Sequence, residues 1–160
     1  MNSFNKLIEC FKQFPGIGPR QAKRFVYFLL TRDYAYTNEI SVLITNLKNE
    51  IQTCESCFRF FLKNTSKTDT CDICQNIHRD QNILMIVSRD VDFENIEKSG
   101  KYNGVYFVLG GNIPILEKNP EQKIRVKELL KVIEKRNGIL KEIILAMSLN
   151  IEGENTEDYL

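Results

Sequence analysis

Ile83-Leu84-Met85-Ile86-Val87 leads into the amphipathic stretch Val91 to Ser99. Then come Val105-Tyr106-Phe107-Val108-Leu109, the segment Glu121 to Arg136, and Glu142 to Met147. Apolar runs of strand length with no polar alternation suit strands buried on both faces, and helix-length segments between them predict parallel strands joined by crossover helices. Gly104 and Gly138 stand where turns into strands are expected. Three such strands make a small sheet with vulnerable edges, so the α/β part, residues 80–160, is expected to be incomplete or to be completed by association. Beyond the last strand lie Glu152, Glu154, Glu157 and Asp158, and Thr156 is a candidate cap for a helix that Tyr159 and Leu160 barely begin.

Upstream of the sheet the texture changes. Residues 53–79 are polar, lack helical periodicity and are too few to bury a core without help. They contain Cys54-x2-Cys57 and, thirteen residues on, Cys71-x2-Cys74. Each CxxC loop places two thiolates on one side of a metal, and two facing loops complete a closed S4 tetrahedron that suits a structural Zn2+. A disulfide pair and a thioredoxin-like redox site are the rival readings. A reducing cytosol disfavours the first, and the second needs one CxxC opening a helix after a strand. His78, the only histidine, is expected on the surface or in packing, and Cys10 as a small buried hydrophobe on a helical stripe.

Residues 1–52 read as helices. Leu7, Cys10, Phe11 and Phe14 recur at helical spacing, as do Ala22, Phe25, Val26 and Leu29, so each stretch presents an apolar stripe to a common core. A third helix carries Ile40, Leu43, Ile44, Leu47 and Ile51 on one face, with Thr37 or Asn38 as its cap. Between the first two lies Phe14-Pro15-Gly16-Ile17-Gly18-Pro19-Arg20, followed by Lys23 and Arg24. Gly16 and Gly18 let backbone N–H groups approach a phosphate. The next helix presents its positive end there, and Arg20, Lys23 and Arg24 add three cations within its first turn and a half. That is a candidate grip on a nucleic-acid backbone without base reading.

Charge supports the placement. The net charge is +1, yet residues 1–32 hold Lys6, Lys12, Arg20, Lys23, Arg24 and Arg32 against Glu9 alone, which leaves the remainder acidic. A polyanion is therefore expected at the N-terminal fifth. Hydrophobic residues at 42% with 10% aromatics exclude a disordered chain. The longest apolar run, Phe25 to Leu30, is far below the roughly 20 residues a membrane helix needs. Met1 to Lys6 lacks an apolar stretch followed by a small-residue cleavage site, so a cytoplasmic location is expected.

Phe14-Pro15-Gly16-Ile17-Gly18-Pro19-Arg20 with Ala22, Arg24 and Phe25 resembles the helix-hairpin-helix of the bacterial recombination mediator family RecR. The four cysteines fall where that family has its zinc finger. Tyr106 to Gly111 and Ile151 to Thr156 look like its Toprim segments. The resemblance implies an α/β chain in three parts: a helix-hairpin-helix DNA-binding module (1–52), a C4 zinc finger (53–79) and a partial Toprim-like parallel sheet with crossover helices (80–160). It implies a non-enzymatic DNA-repair protein of a RecFOR-type pathway that binds DNA and helps load recombinase. RecO-like and RecF-like proteins would be its partners, with a homo-oligomer, dimer or tetramer, as the clamp. By the same likeness Arg20 and Arg24 contact DNA, with Lys23 added on charge alone, and Asp92, Glu152 and Glu154 belong to the acidic face associated with RecO. Ser88 stands where a Toprim enzyme has a carboxylate for Mg2+, which lowers the expectation of catalysis. The acidic pairs Asp90/Asp92 and Glu152/Glu154 are expected as solvated loop acids. Members of that family extend beyond Tyr159-Leu160, so the Toprim-like part is expected to be incomplete. The rival readings are a Mg2+-dependent Toprim enzyme and a truncated partner-binding remnant.

Overall fold

A computed structural model describes residues 2–63 and 68–160. The chain divides into two units, Met1–Asn49 and Glu50–Leu160, and each is built on its own.

The first unit holds α1 (Ser3–Lys12), α2 (Pro19–Leu30) and α3 (Tyr34–Glu50). The Asn2 side chain starts α1 by accepting the Asn5 N–H at 3.0 Å. Pro19 opens α2, where a missing N–H costs nothing. Aromatic edges lock α1 to α2: Phe4 meets Tyr27 at 5.5 Å and Phe11 meets Phe25 at 5.8 Å, ring centre to ring centre. Beneath them Ala22 and Val26 are buried.

The expected cap of α3 and the expected burial of Cys10 both differ in the structure. Asp33, not Thr37 or Asn38, caps α3, its carboxylate accepting the Tyr36 N–H at 2.8 Å. The Thr37 hydroxyl instead donates back to the carbonyls of Asp33 and Tyr34. The apolar face of α3 enters no common core: the helix buries none of its residues, and Ile44 is 66% exposed. Its Ile40 and Ile44, with Phe4, Leu7, Phe11 and Phe25, line an open apolar groove of about 860 Å³. Cys10 is likewise exposed and lines that groove.

The second unit begins with an antiparallel hairpin, β1 (Ile51–Thr53) and β2 (Phe60–Leu62), in which Ile51 pairs with Leu62 and Thr53 with Phe60. The short helix α4 (Asp72–Gln75) follows. Then come β3 (Asp80–Val87), α5 (Asp90–Lys98), β4 (Gly104–Val108), α6 (Val126–Lys135), β5 (Glu142–Ala146) and α7 (Ile151–Tyr159). The sheet is parallel throughout, in the order β4-β3-β5, so β3 is central and both crossovers are helical.

Alternation sorts the apolar residues to two faces. Val87, Tyr106 and Val108 pack against Phe93 of α5 and the cysteine-bearing loops. Leu84, Ile86, Val105, Phe107 and Leu109 pack against Leu129 of α6 with Ile113 and Ile124. Every residue of β4 is buried, which is why its sequence is apolar without alternation.

The helix expected over 121–136 is broken. A 3-10 turn at Pro120–Gln122 comes first, and α6 starts only at Val126. The end of β4 captures the chain between them: the Arg125 N–H donates to the Leu109 carbonyl at 3.0 Å, and its guanidinium to the Val108 carbonyl at 2.9 Å. At the C-terminal end, α7 is a full helix capped by Asn150, whose side chain accepts the Gly153 N–H at 2.8 Å. Thr156 is no cap. It is buried inside α7, donating to the Glu152 carbonyl at 2.6 Å and accepting the Ile113 N–H at 2.8 Å. A Cβ at position 153 would stand 1.9 Å from the Ser148 carbonyl oxygen, so only glycine lets α7 start where it does.

Candidate metal centre and nucleic-acid interface

The metal centre grows from two tight backbone turns. Cys54 follows β1, and Cys57 ends the same knuckle, closed by a Phe58 N–H to Cys54 carbonyl bond of 2.9 Å. Phe58 adopts a left-handed φ of 63°, which reverses the chain straight into β2. On the other side Cys71 precedes α4 and Cys74 lies within it. The four sulfurs all stand within 4.8 Å of one another. Cys54 and Cys74 are 3.8 Å apart, and Cys57 and Cys71 are 3.6 Å apart.

A tetrahedral S4 site with metal–sulfur bonds of about 2.3 Å has sulfur–sulfur edges of roughly 3.8 Å, so the donor set fits such an ion. A disulfide needs about 2.05 Å, and all five cysteines are free thiols. The group is a four-cysteine metal-binding arrangement compatible with zinc. Hydrogen bonding among the sulfurs spreads their acidities. Cys54, bonded by Cys57, Cys71 and Cys74, is pulled far below the ordinary thiol range. Cys57 is pushed far above it, first by its bond to Cys54 and further by burial. His78 is exposed and outside the group.

The loops are fastened to the sheet by residues that sequence reasoning missed. The Cys57 carbonyl accepts the Val108 N–H at 2.8 Å, and the Asp90 carboxylate accepts the Phe60 N–H at 2.7 Å. Arg125 lies 5.7 Å over the Phe58 ring, and Phe58 itself meets Phe107 at 5.3 Å. Arg59 pairs with Asp72 and lies 4.8 Å over the Phe93 ring; burial works against its charge, but the neighbouring Cys71 sulfur and the Asp72 carboxylate outweigh it and draw the guanidinium further toward its charged form. A basic residue two places after a metal-site cysteine was a signal present in the sequence. The partners of Arg125 and Asp90 were not visible there, because both lie tens of residues away along the chain.

At the carboxyl end of β3, Ser88 is wholly buried, its hydroxyl directed at the Asn112 amide oxygen and the Met147 sulfur. Asp90 and Asp92 are not loop acids: they open α5, and Asp92 accepts the Arg89 N–H at 3.1 Å. Glu152 and Glu154 are exposed in the first turn of α7. Among the described residues these four acids form no group that converges on one ion.

In the first unit, the turn between α1 and α2 brings Gly16, Gly18, Arg20, Lys23 and Arg24 together by their closeness in sequence. Gly16 has φ 75°, a left-handed conformation that favours glycine. Gly18 is extended at φ −82°, and a Cβ there would meet nothing within 4 Å, so the fold itself does not require glycine at 18. Gly18 also offers α2 no side-chain cap, leaving the helix's positive end open. Arg20, Lys23 and Arg24 are exposed, recur at helical spacing on one face, and pair with no carboxylate among the described residues. Arg24 bonds Gln21, and Lys23 lies 6.0 Å from the Tyr27 ring.

Comparison with known proteins places these features in a family context. Residues 4–47 match the family described as RecR, helix-hairpin-helix, and residues 82–160 match the Toprim domain family. The "Recombination protein RecR" of Ureaplasma urealyticum serovar 10 is 38% identical over 159 residues, covering 98% of this chain and 75% of that protein. Those of Brachyspira hyodysenteriae and Dehalococcoides mccartyi are 36% and 37% identical, over 76% and 73% of their own lengths.

Proposed function

The chain belongs to the RecR family of recombination proteins, and from that premise we propose that its helix-hairpin-helix grips the DNA backbone without reading sequence and without turnover. Gly16 and Gly18 let phosphate approach the open end of α2, and Arg20, Lys23 and Arg24 neutralise it. The observation that carries this reading is the row of three exposed cations with no acidic partner beside an uncapped helix start. Zn2+ held by Cys54, Cys57, Cys71 and Cys74 supplies no chemistry beyond closing the loops, because four thiolates leave no open position. A buried serine at position 88, with Asp92 committed to its helix start, supports a non-enzymatic role.

The proposal extends to a protein that works in the cytoplasm as a homo-oligomer and recruits RecO-like and RecF-like partners, with Asp92, Glu152 and Glu154 as contacts for the former. Its modules are residues 1–52, 53–79 and 80–160. No helix among the described residues is long and apolar enough to cross a membrane.

Fluorescence anisotropy with labelled oligonucleotides at several salt concentrations tests the grip. Affinity is expected to fall steeply with salt, and each of Arg20→Ala and Arg24→Ala to reduce the logarithmic salt slope by about 1. Unchanged slope and affinity in both variants would refute the assignment. Mg2+-dependent cleavage of the same oligonucleotides would establish an enzyme instead.

A further inference from the structure

A four-cysteine centre carries a charge problem. Four thiolates around one divalent cation leave two negative charges in excess, and Cys54, Cys57 and Cys71 are each at most 1% exposed. Buried charge without compensation is costly. Arg59 stands two residues after Cys57 with its side chain only 15% exposed. The buried Phe93 ring lies 4.8 Å from the guanidinium, and among the described residues Nε is buried with no acceptor. A neutral cluster, whether thiols or disulfides, gives a permanent cation no reason to be buried here; a dianionic thiolate centre does.

We propose that Arg59 is a positioning residue of the metal centre, offsetting the buried thiolate charge and so strengthening the hold on the divalent ion. The inference rests on the zinc reading of the four cysteines. Asp72 is 67% exposed, so water screens its carboxylate and it orients the guanidinium more than it cancels it. Asp72, which the guanidinium holds, follows directly on Cys71, so the Cys71 sulfur is the thiolate most directly served.

The test is zinc competition against a chromophoric chelator, with the full-length chain and its R59M, R59K and D72N variants. One zinc per wild-type chain is expected. R59M should bind it about 10- to 100-fold more weakly, R59K less weakly than R59M, and D72N about as tightly as wild type. In zinc-loaded R59M, iodoacetamide should modify Cys71 ahead of the other three cysteines, read by peptide mass. Wild-type affinity in R59M overturns the proposal while leaving the zinc reading intact. Equal loss in D72N and R59M also overturns it, since the ion pair would then be a strut and not a charge balance. A wild-type chain that binds no zinc removes both. Should R59M not fold, the other pair decides: D72N holding zinc at least as tightly as R59K supports the proposal, and the reverse order defeats it.

Discussion

At the scale of single residues, Glu97 shows how a half-buried charge is managed. Arg79 grips both carboxylate oxygens of Glu97, and the Tyr106 hydroxyl donates to one of them at 2.8 Å. Burial alone would raise the Glu97 pKa, but the bonds from Arg79 and Tyr106 outweigh it and hold the carboxyl below its usual range. The Tyr106 hydroxyl is raised in turn, first by desolvation and then by its bond to Glu97. A carboxylate more acidic when folded adds stability above its unfolded value, about 4.3, and that contribution disappears as pH falls through the folded value. Acid titration of unfolding should therefore show wild type losing stability below about pH 4.3, and Glu97→Gln should flatten that limb while starting from a lower plateau. A limb of unchanged steepness in the variant would assign the acid sensitivity elsewhere. Arg79 also reaches the Gly104 carbonyl at 3.3 Å, so this one network ties α5 to the start of β4.

At the scale of elements, the two glycines of the α1–α2 turn separate structure from binding. Gly16 is glycine because its backbone is left-handed, and Gly16→Ala should cost about 1–2 kcal/mol in thermal or denaturant unfolding. Gly18 has ordinary angles and open space, so Gly18→Ala should leave unfolding unchanged yet weaken DNA binding by crowding the approach to the first turn of α2. Anisotropy and denaturation on the same pair of variants check this. Two variants behaving alike in both measurements would mean that the second glycine serves the turn and not the ligand. Periodicity carried the expected helix back to Glu121, but the carbonyls of Val108 and Leu109 claim Arg125 and stop it at Val126.

At the scale of the whole second unit, the metal loops and the sheet share one core. Cys54, Cys57, Phe61, Cys71 and Ile73 belong to the same cluster as Val87, Phe93, Tyr106 and Val108. Removing the metal should therefore loosen more than the loops. After chelation, hydrogen exchange should rise in β1, β2 and α4 first, and then along β4 and α5, with a lowered melting temperature. The opposite face, built on Leu84, Ile86, Phe107 and Leu129 against α6, should keep more of its protection. Exchange confined to the loops, with no change in melting, would show that the sheet stands independently of the metal.

The amino-acid pattern alone determined the parallel sheet, the crossover helices, the tetrathiol cluster and the cationic hairpin, because each rests on local signals: apolar runs, CxxC spacing, and a Pro-Gly turn followed by cations. Tertiary structure alone decided how those parts are joined and finished. The Val108 N–H on the Cys57 carbonyl, the Asp90 carboxylate on Phe60, and Thr156 between α7 and Ile113 link positions 51, 30 and 43 residues apart. Which donor meets which acceptor at such separations is set by packing, on which sequence periodicity carries no information. The exposed face of α3 makes the same point from the other side. Its apolar spacing predicted the helix correctly as far as Glu50, while Ile51 opens β1; spacing cannot say whether a partner surface lies opposite, and among the described residues of its own unit none covers it.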